Sequence, residues 1–112
     1  MTRYPEGVIN RVPPQLIMSI QKIAVLGAGQ MGNGITQVAA CAGYTVVMID
    51  IKQEYVYKGL STIRTSLGKL VMKERMTQVE ADEALSRIST STERKAASDA
   101  DLVIEAIPEI PE

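Results

Sequence analysis

The sequence has no histidine, tryptophan or phenylalanine, and it carries four tyrosines and one cysteine in 112 residues. Without histidine, the commonest general base near neutral pH is missing, and metal sites of the His-rich kind are excluded. Sparse aromatics argue against platforms on which nucleobases stack. A lone Cys41 cannot form an internal disulfide; set among Ala and Val in an expected helix, it is read as a buried structural thiol. No apolar run approaches a membrane span, and the first 20 residues lack the apolar core of a secretory signal, so residence in the cytoplasm and no membrane partner are expected. Charge of one sign is lacking too: 12 basic residues are dispersed among 13 acidic ones, and no basic stripe points to nucleic acid.

What is present begins with a short apolar run, Ile23 to Leu26, that breaks into glycines. Such a run fits one fully buried strand, and the glycines stop it. Gly27, Gly29 and Gly32 fall at G-x-G-x-x-G spacing. In that pattern the first glycine permits a tight turn, the second lets backbone approach a pyrophosphate, and the third allows close helix–strand packing. The positive end of the following helix then serves the anion through backbone N–H groups, and Ala28, Gly29, Gln30 and Met31 indeed include no Lys or Arg.

The glycine spacing alone is a weak signal, and its surroundings raise it. Ile35, Val38, Ala39 and Ala42 make one apolar helical face, with Gly43 as a plausible stop. Thr45–Ile49 is a second buried strand ending on Asp50, 18 residues after Gly32, where a dinucleotide-binding unit places the carboxylate that accepts from the adenosine ribose. A carboxylate there repels a 2′-phosphate and so favours NAD over NADP. Asp50 is also a sensible N-cap for the next helix. Lys52 is the dissenting cation nearby, more simply a solvated lysine at a helix start.

Residues 1–19, with Pro5, Pro13 and Pro14, are expected to form an irregular extension, and Met18 is a second candidate start. The remainder, 20–112, reads as one α/β domain. Gln53 to about Arg75 has helical periodicity through Val56, Leu60, Ile63, Leu67, Leu70 and Val71, with Thr62, Ser66, Lys69 and Lys73 on an offset polar stripe. On residue type alone that stripe is a solvated face. Thr77 and Glu80 have capping-box spacing before a second helix to about Arg87. A weak strand at 87–91, a brief helix capped by Thr92 and a clear strand at 102–107 follow. The fourth strand stops at Pro108, which cannot donate to a ladder. The expected order is 3-2-1-4, with ligands at the carboxyl ends of strands one and four. Glu109 then lies at the site, either as a cofactor contact or as an exposed loop acid.

Taken together, I-A-V-L-G-A-G-Q-M-G-N-G at 23–34, A-A-C-A-G-Y-T-V-V-M-I-D at 39–50, S-L-G-K-L-V-M-K at 66–73, S-T-S-T at 89–92 and D-L-V-I-E-A-I-P-E at 101–109 closely resemble the amino-terminal domain of 3-hydroxyacyl-CoA dehydrogenases. The resemblance covers about residues 20–109. It implies a Rossmann-type, mostly parallel sheet with a helical hairpin inserted between strands 2 and 3, NAD as cofactor, and an acyl-CoA substrate. By position it assigns Gly27, Ala28, Gly29, Gln30, Met31 and Gly32 to the pyrophosphate, Asp50 to the adenosine ribose, Glu109 to the nicotinamide side, and Ser66 and Lys73 to CoA. Seven residues are about two helical turns, so Ser66 and Lys73 point the same way.

The family's histidine base, the glutamate that orients it and the helical domain that supports dimerisation have no counterpart before Glu112. The resemblance thus implies a cofactor-binding portion that does not catalyse by itself. Two other readings stand beside it: a related dehydrogenase of a free hydroxy acid or sugar acid, and a standalone NAD-sensing module.

Overall fold

The computed structural model describes residues 20–107; the amino-terminal extension, Pro108 and Glu109 lie outside the described residues. Four strands, β1 (Lys22–Leu26), β2 (Thr45–Ile49), β3 (Ile88–Ser91) and β4 (Leu102–Glu105), form one sheet in the order β3-β2-β1-β4, with every neighbouring pair parallel. Register aligns Val25 with both Met48 and Ile104, and Met48 with Thr90. The order expected from the sequence is the one observed. So is the insertion of two helices, α2 (Gln53–Met72) and α3 (Gln78–Ser86), between β2 and β3. A helix α1 (Gln30–Cys41) joins β1 to β2, and a 3-10 turn at Arg94–Ala97 precedes β4.

β1 and β2 are continuous apolar runs because both of their faces are covered. Alternate residues point to opposite sides. Ile23, Val25, Val46 and Met48 pack in the larger cluster, which takes in Val56, Ile63 and Leu67 of α2 and Ala81 and Ala84 of α3. Ala24, Leu26, Val47 and Ile49 pack on the other side against Ala96, Ala97 and Ala100. One face thus carries three helices, and the other a thin alanine layer.

The core face of α1 is shifted from the expected one, keeping Ala39 and Ile35 but not Val38 and Ala42. Gly32, Thr36, Ala39 and Ala40 are buried, whereas Val38 is 71% exposed. The small side chains bring the helix axis close to the sheet, which turns Val38 and Ala42 outward while Ile35 stays half-buried against the larger cluster. Cys41 turns with them: it is exposed, not buried. What cover it has pushes its thiol pKa up, partly offset by the Arg87 guanidinium.

Two helices end in the same way on different residues. After α1 the amides of Gly43 and Tyr44 donate to the Ala40 and Ala39 carbonyls, with Gly43 at φ +105°. After α2 the amides of Glu74 and Arg75 donate to the Val71 and Leu70 carbonyls, with Glu74 at φ +58°. Both are Schellman endings, but the second puts a residue with a Cβ in the left-handed position. That is why α2 stops at Met72, short of the expected Arg75: no glycine marks the stop. α3 starts at the expected capping box, the Glu80 amide donating to Thr77 Oγ1 at 3.1 Å and the Thr77 amide to Glu80 Oε1 at 2.9 Å. The brief helix after β3 is a 3-10 turn preceded by Glu93 rather than capped by Thr92.

Candidate functional site

Strand addition runs from β1 to β2 to β3 on one side and places β4 on the other, so the sheet reverses at the carboxyl ends of β1 and β4. Gly27 sits in that crevice. Its amide donates to the Ile49 carbonyl at 2.6 Å, and the Ala106 amide donates to Leu26 at 2.7 Å. At φ +117°, with an added Cβ falling 2.8 Å from the Ala106 carbonyl oxygen, the position excludes any side chain. A Cβ on Gly32 would overlap the Gly27 carbonyl oxygen, so the third glycine is needed for α1 to start against the turn. Around Gly29 the space is open: nothing lies within 4 Å of where its Cβ would be.

α1 begins on Gly29 with no side-chain cap and no acid in its first turn. Its first internal bond is Asn33 N–H to the Gly29 carbonyl at 2.8 Å, so the amides of Gln30, Met31 and Gly32 precede the ladder without helical acceptors. A helix start left uncapped beside an open glycine suits an anion held by backbone N–H groups. The residues present therefore fit a dinucleotide pyrophosphate.

Asp50 follows β2 and is held in place by backbone. Oδ2 accepts from the Ala28 amide at 2.8 Å and Oδ1 from the Ile51 amide at 2.7 Å. It does not cap α2, whose N-cap is Lys52. Each carboxylate oxygen keeps a lone pair, so ribose hydroxyls can still donate to it.

These parts border a cavity of about 540 Å³ that includes Gly27 to Gln30, Asp50, and Tyr55, Lys58, Gly59 and Thr62 of α2. Of the expected loop residues, Met31 and Gly32 do not line it. Met31 instead faces a second cavity of about 520 Å³ with Gly29, Gln30 and Ala106, at the β1–β4 crevice. Ser66 lies on a third, a groove of about 340 Å³ along α2 with Lys58, Thr62 and Lys69. Lys73 is absent from its wall and forms the C-cap of α2. The α2 residues at the main cavity are those sequence reasoning missed. Gly59, an isolated glycine inside a long helical pattern, was the available signal.

Comparison with known proteins agrees with this geometry. The sequence model of the 3-hydroxyacyl-CoA dehydrogenase NAD-binding domain matches residues 22–112. A probable 3-hydroxybutyryl-CoA dehydrogenase of Deinococcus radiodurans is 48% identical over 88 residues, 79% of this chain and 31% of that protein. The crystal structure of (S)-3-hydroxybutyryl-CoA dehydrogenase PaaH1 from Ralstonia eutropha superposes with a TM-score of 0.79 at 42% identity, covering 82% of this chain and 32% of that one. A diketoreductase acting on dicarbonyl compounds is also similar, with a TM-score of 0.71 at 33% identity over 81% of this chain and 33% of that one. The chain spans about a third of the length of such relatives. Glycine loop, fixed carboxylate, strand order and sequence all lead to one assignment: this chain belongs to the 3-hydroxyacyl-CoA dehydrogenase family and carries its NAD-binding domain.

Proposed function

We propose that this domain serves oxidation of a (3S)-3-hydroxyacyl-CoA to the 3-oxoacyl-CoA in fatty-acid metabolism, C3 giving a hydride to NAD and the hydroxyl giving its proton to a base. Gly27 to Gly32 hold the pyrophosphate, Asp50 the adenosine ribose, Glu109 the nicotinamide side, and Ser66 and Lys73 the CoA ester. The observation that carries the cofactor part is the uncapped α1 start beside open Gly29, with Asp50 already fixed by two backbone amides. With no histidine in the sequence, the base is supplied from outside this domain, and residues 20–112 alone bind cofactor without turnover.

The CoA assignment has uneven support within the domain: Ser66 lines the α2 groove, whereas Lys73 stands beyond it at the helix end. The complete enzyme is proposed to be a cytoplasmic homodimer acting apart from membranes and nucleic acid. Among the described residues no helix is long and apolar enough to cross a membrane.

Asp50→Ala tests the cofactor reading. NAD binding should weaken by about tenfold or more while NADP changes much less, because the variant loses both the acceptor and the repulsion; equal loss for both would overturn the Asp50 assignment. For the reaction, a protein that includes the catalytic part should reduce NAD with a 3-hydroxyacyl-CoA. The likeness to a diketoreductase favours a second reading, a substrate without CoA. Lys73→Glu separates the two: CoA esters should bind worse, free acids should not.

A further inference from the structure

The approach of α2 to the glycine loop is made by backbone. At Gly59 an added Cβ would stand 2.7 Å from the Ala28 carbonyl oxygen and 3.2 Å from the Ala28 methyl, so helix and loop are in contact there. The preceding residue, Lys58, is consequently set at a fixed place beside the loop. It lines both the cavity that contains Asp50 and the hydroxyl-lined groove that contains Ser66.

Thr62 is shared by the same two spaces, but its hydroxyl donates to the Lys58 carbonyl at 3.0 Å. Lys58 is the one cationic side chain among the described residues on the wall of the main cavity. Among the described residues it enters no ion pair; those pairs join Lys22 to Asp99, Arg94 to Glu105 and Lys95 to Glu93. The other nearby lysine, Lys52, lies over the Tyr55 ring at 5.6 Å. The glycine loop itself offers an anion only N–H dipoles, and Asp50 adds a negative charge to the same cavity. A phosphate bound there would have a single mobile counter-charge within reach, on a flexible four-carbon stem.

We propose that Lys58 is the side-chain cation that pairs with a phosphate of the dinucleotide seated on the glycine loop, held in range by the contact between Gly59 and Ala28. This rests on the NAD-binding reading of the loop. CoA also carries phosphates, and Lys58 borders the groove as well, so the probes must tell the two sources apart.

Equilibrium binding of NAD, ADP, adenosine and CoA to this chain, to Lys58→Met and to Lys58→Arg, over a range of salt, makes the test. Lys58→Met should weaken NAD and ADP by about three- to tenfold, the range for an exposed charge-assisted contact, and leave adenosine within about twofold. Its affinity for NAD should depend less steeply on salt than that of the unmodified chain, and Lys58→Arg should retain most of the affinity. The proposal is overturned if NAD and ADP bind Lys58→Met as tightly as the unmodified chain, if adenosine weakens as much as ADP, or if only CoA is lost. Should the unmodified chain bind neither NAD nor ADP, the dinucleotide reading fails first, and this proposal with it.

Discussion

Two glycines of α2 allow the contact between helix and glycine loop to be weighed. Gly59 and Gly68 are both interior to the helix, and replacing either by alanine gains about 1 kcal/mol of helix propensity. Their surroundings differ. Nothing lies within 4 Å of a Cβ on Gly68, whereas a Cβ on Gly59 meets the Ala28 carbonyl oxygen at 2.7 Å and the Met48 methyl at 3.1 Å. Met48 can swing aside; backbone in a turn fixed by Gly27 and Asp50 cannot. Overpacking of that kind costs about 1–3 kcal/mol. Gly68→Ala should therefore stabilise by about 1 kcal/mol, and Gly59→Ala should range from neutral to about 2 kcal/mol destabilising. At on the order of 5 °C per kcal/mol for a domain of this size, the two midpoints should differ by roughly 5–15 °C in thermal unfolding followed by circular dichroism. NAD affinity should drop in Gly59→Ala and stay level in Gly68→Ala. Equal stabilisation by both substitutions would refute the claim that α2 rests on the loop at this point.

Glu74→Gly should stabilise by about 0.5–1 kcal/mol in urea titration, since the left-handed residue that ends α2 no longer carries a Cβ; destabilisation would mean that the ending is not strained. Asp101 accepts from the Gln21 and Lys22 amides at 2.9 and 3.0 Å, which hold its carboxyl below the usual range. A depressed folded-state pKa gives stability that is complete above the unfolded value of about 3.9 and is lost as pH falls through the folded one. Urea midpoints of Asp101→Asn and the unmodified chain should thus converge at acid pH and separate above about pH 4; parallel curves would refute it. Cys41 should react with a thiol reagent in the folded state, faster as pH rises toward its elevated pKa. Labelling only on denaturation would contradict its exposure.

Strands, their order and the glycine turn were legible because each leaves a strong local mark: an apolar run, a breaker, an acid at a strand end. The harder features depend on distance between elements. Hydropathy favours Ile35, Val38, Ala39 and Ala42 as the core face of α1, and Ala39 and Ile35 do pack there; Val38 and Ala42 are exposed, and Gly32, Thr36 and Ala40 take their place because only small side chains admit close packing on the sheet. The error at Cys41 is the same error, one turn further on. Glu74 hid the end of α2 by standing where glycine usually does. At the site, Gly27, Ala28, Gly29, Gln30 and Asp50 were found to share a cavity, but the wall provided by Tyr55, Lys58 and Thr62 needed the crossing of α2 over Ala28, which no spacing along the chain reveals.

Because all four strands run parallel, the sheet has two chemically different rims. At the carboxyl rim stand the loop, Asp50 and the cavities; at the amino rim Asp101 ties down Gln21 and Lys22, and Lys22 pairs with Asp99 at 2.8 Å. A five-residue strand separates the rims by on the order of 13 Å, far enough for substitutions at the two ends to act additively. Tolerance to acid can consequently be tuned at the amino rim without rewriting ligand preference at the carboxyl rim.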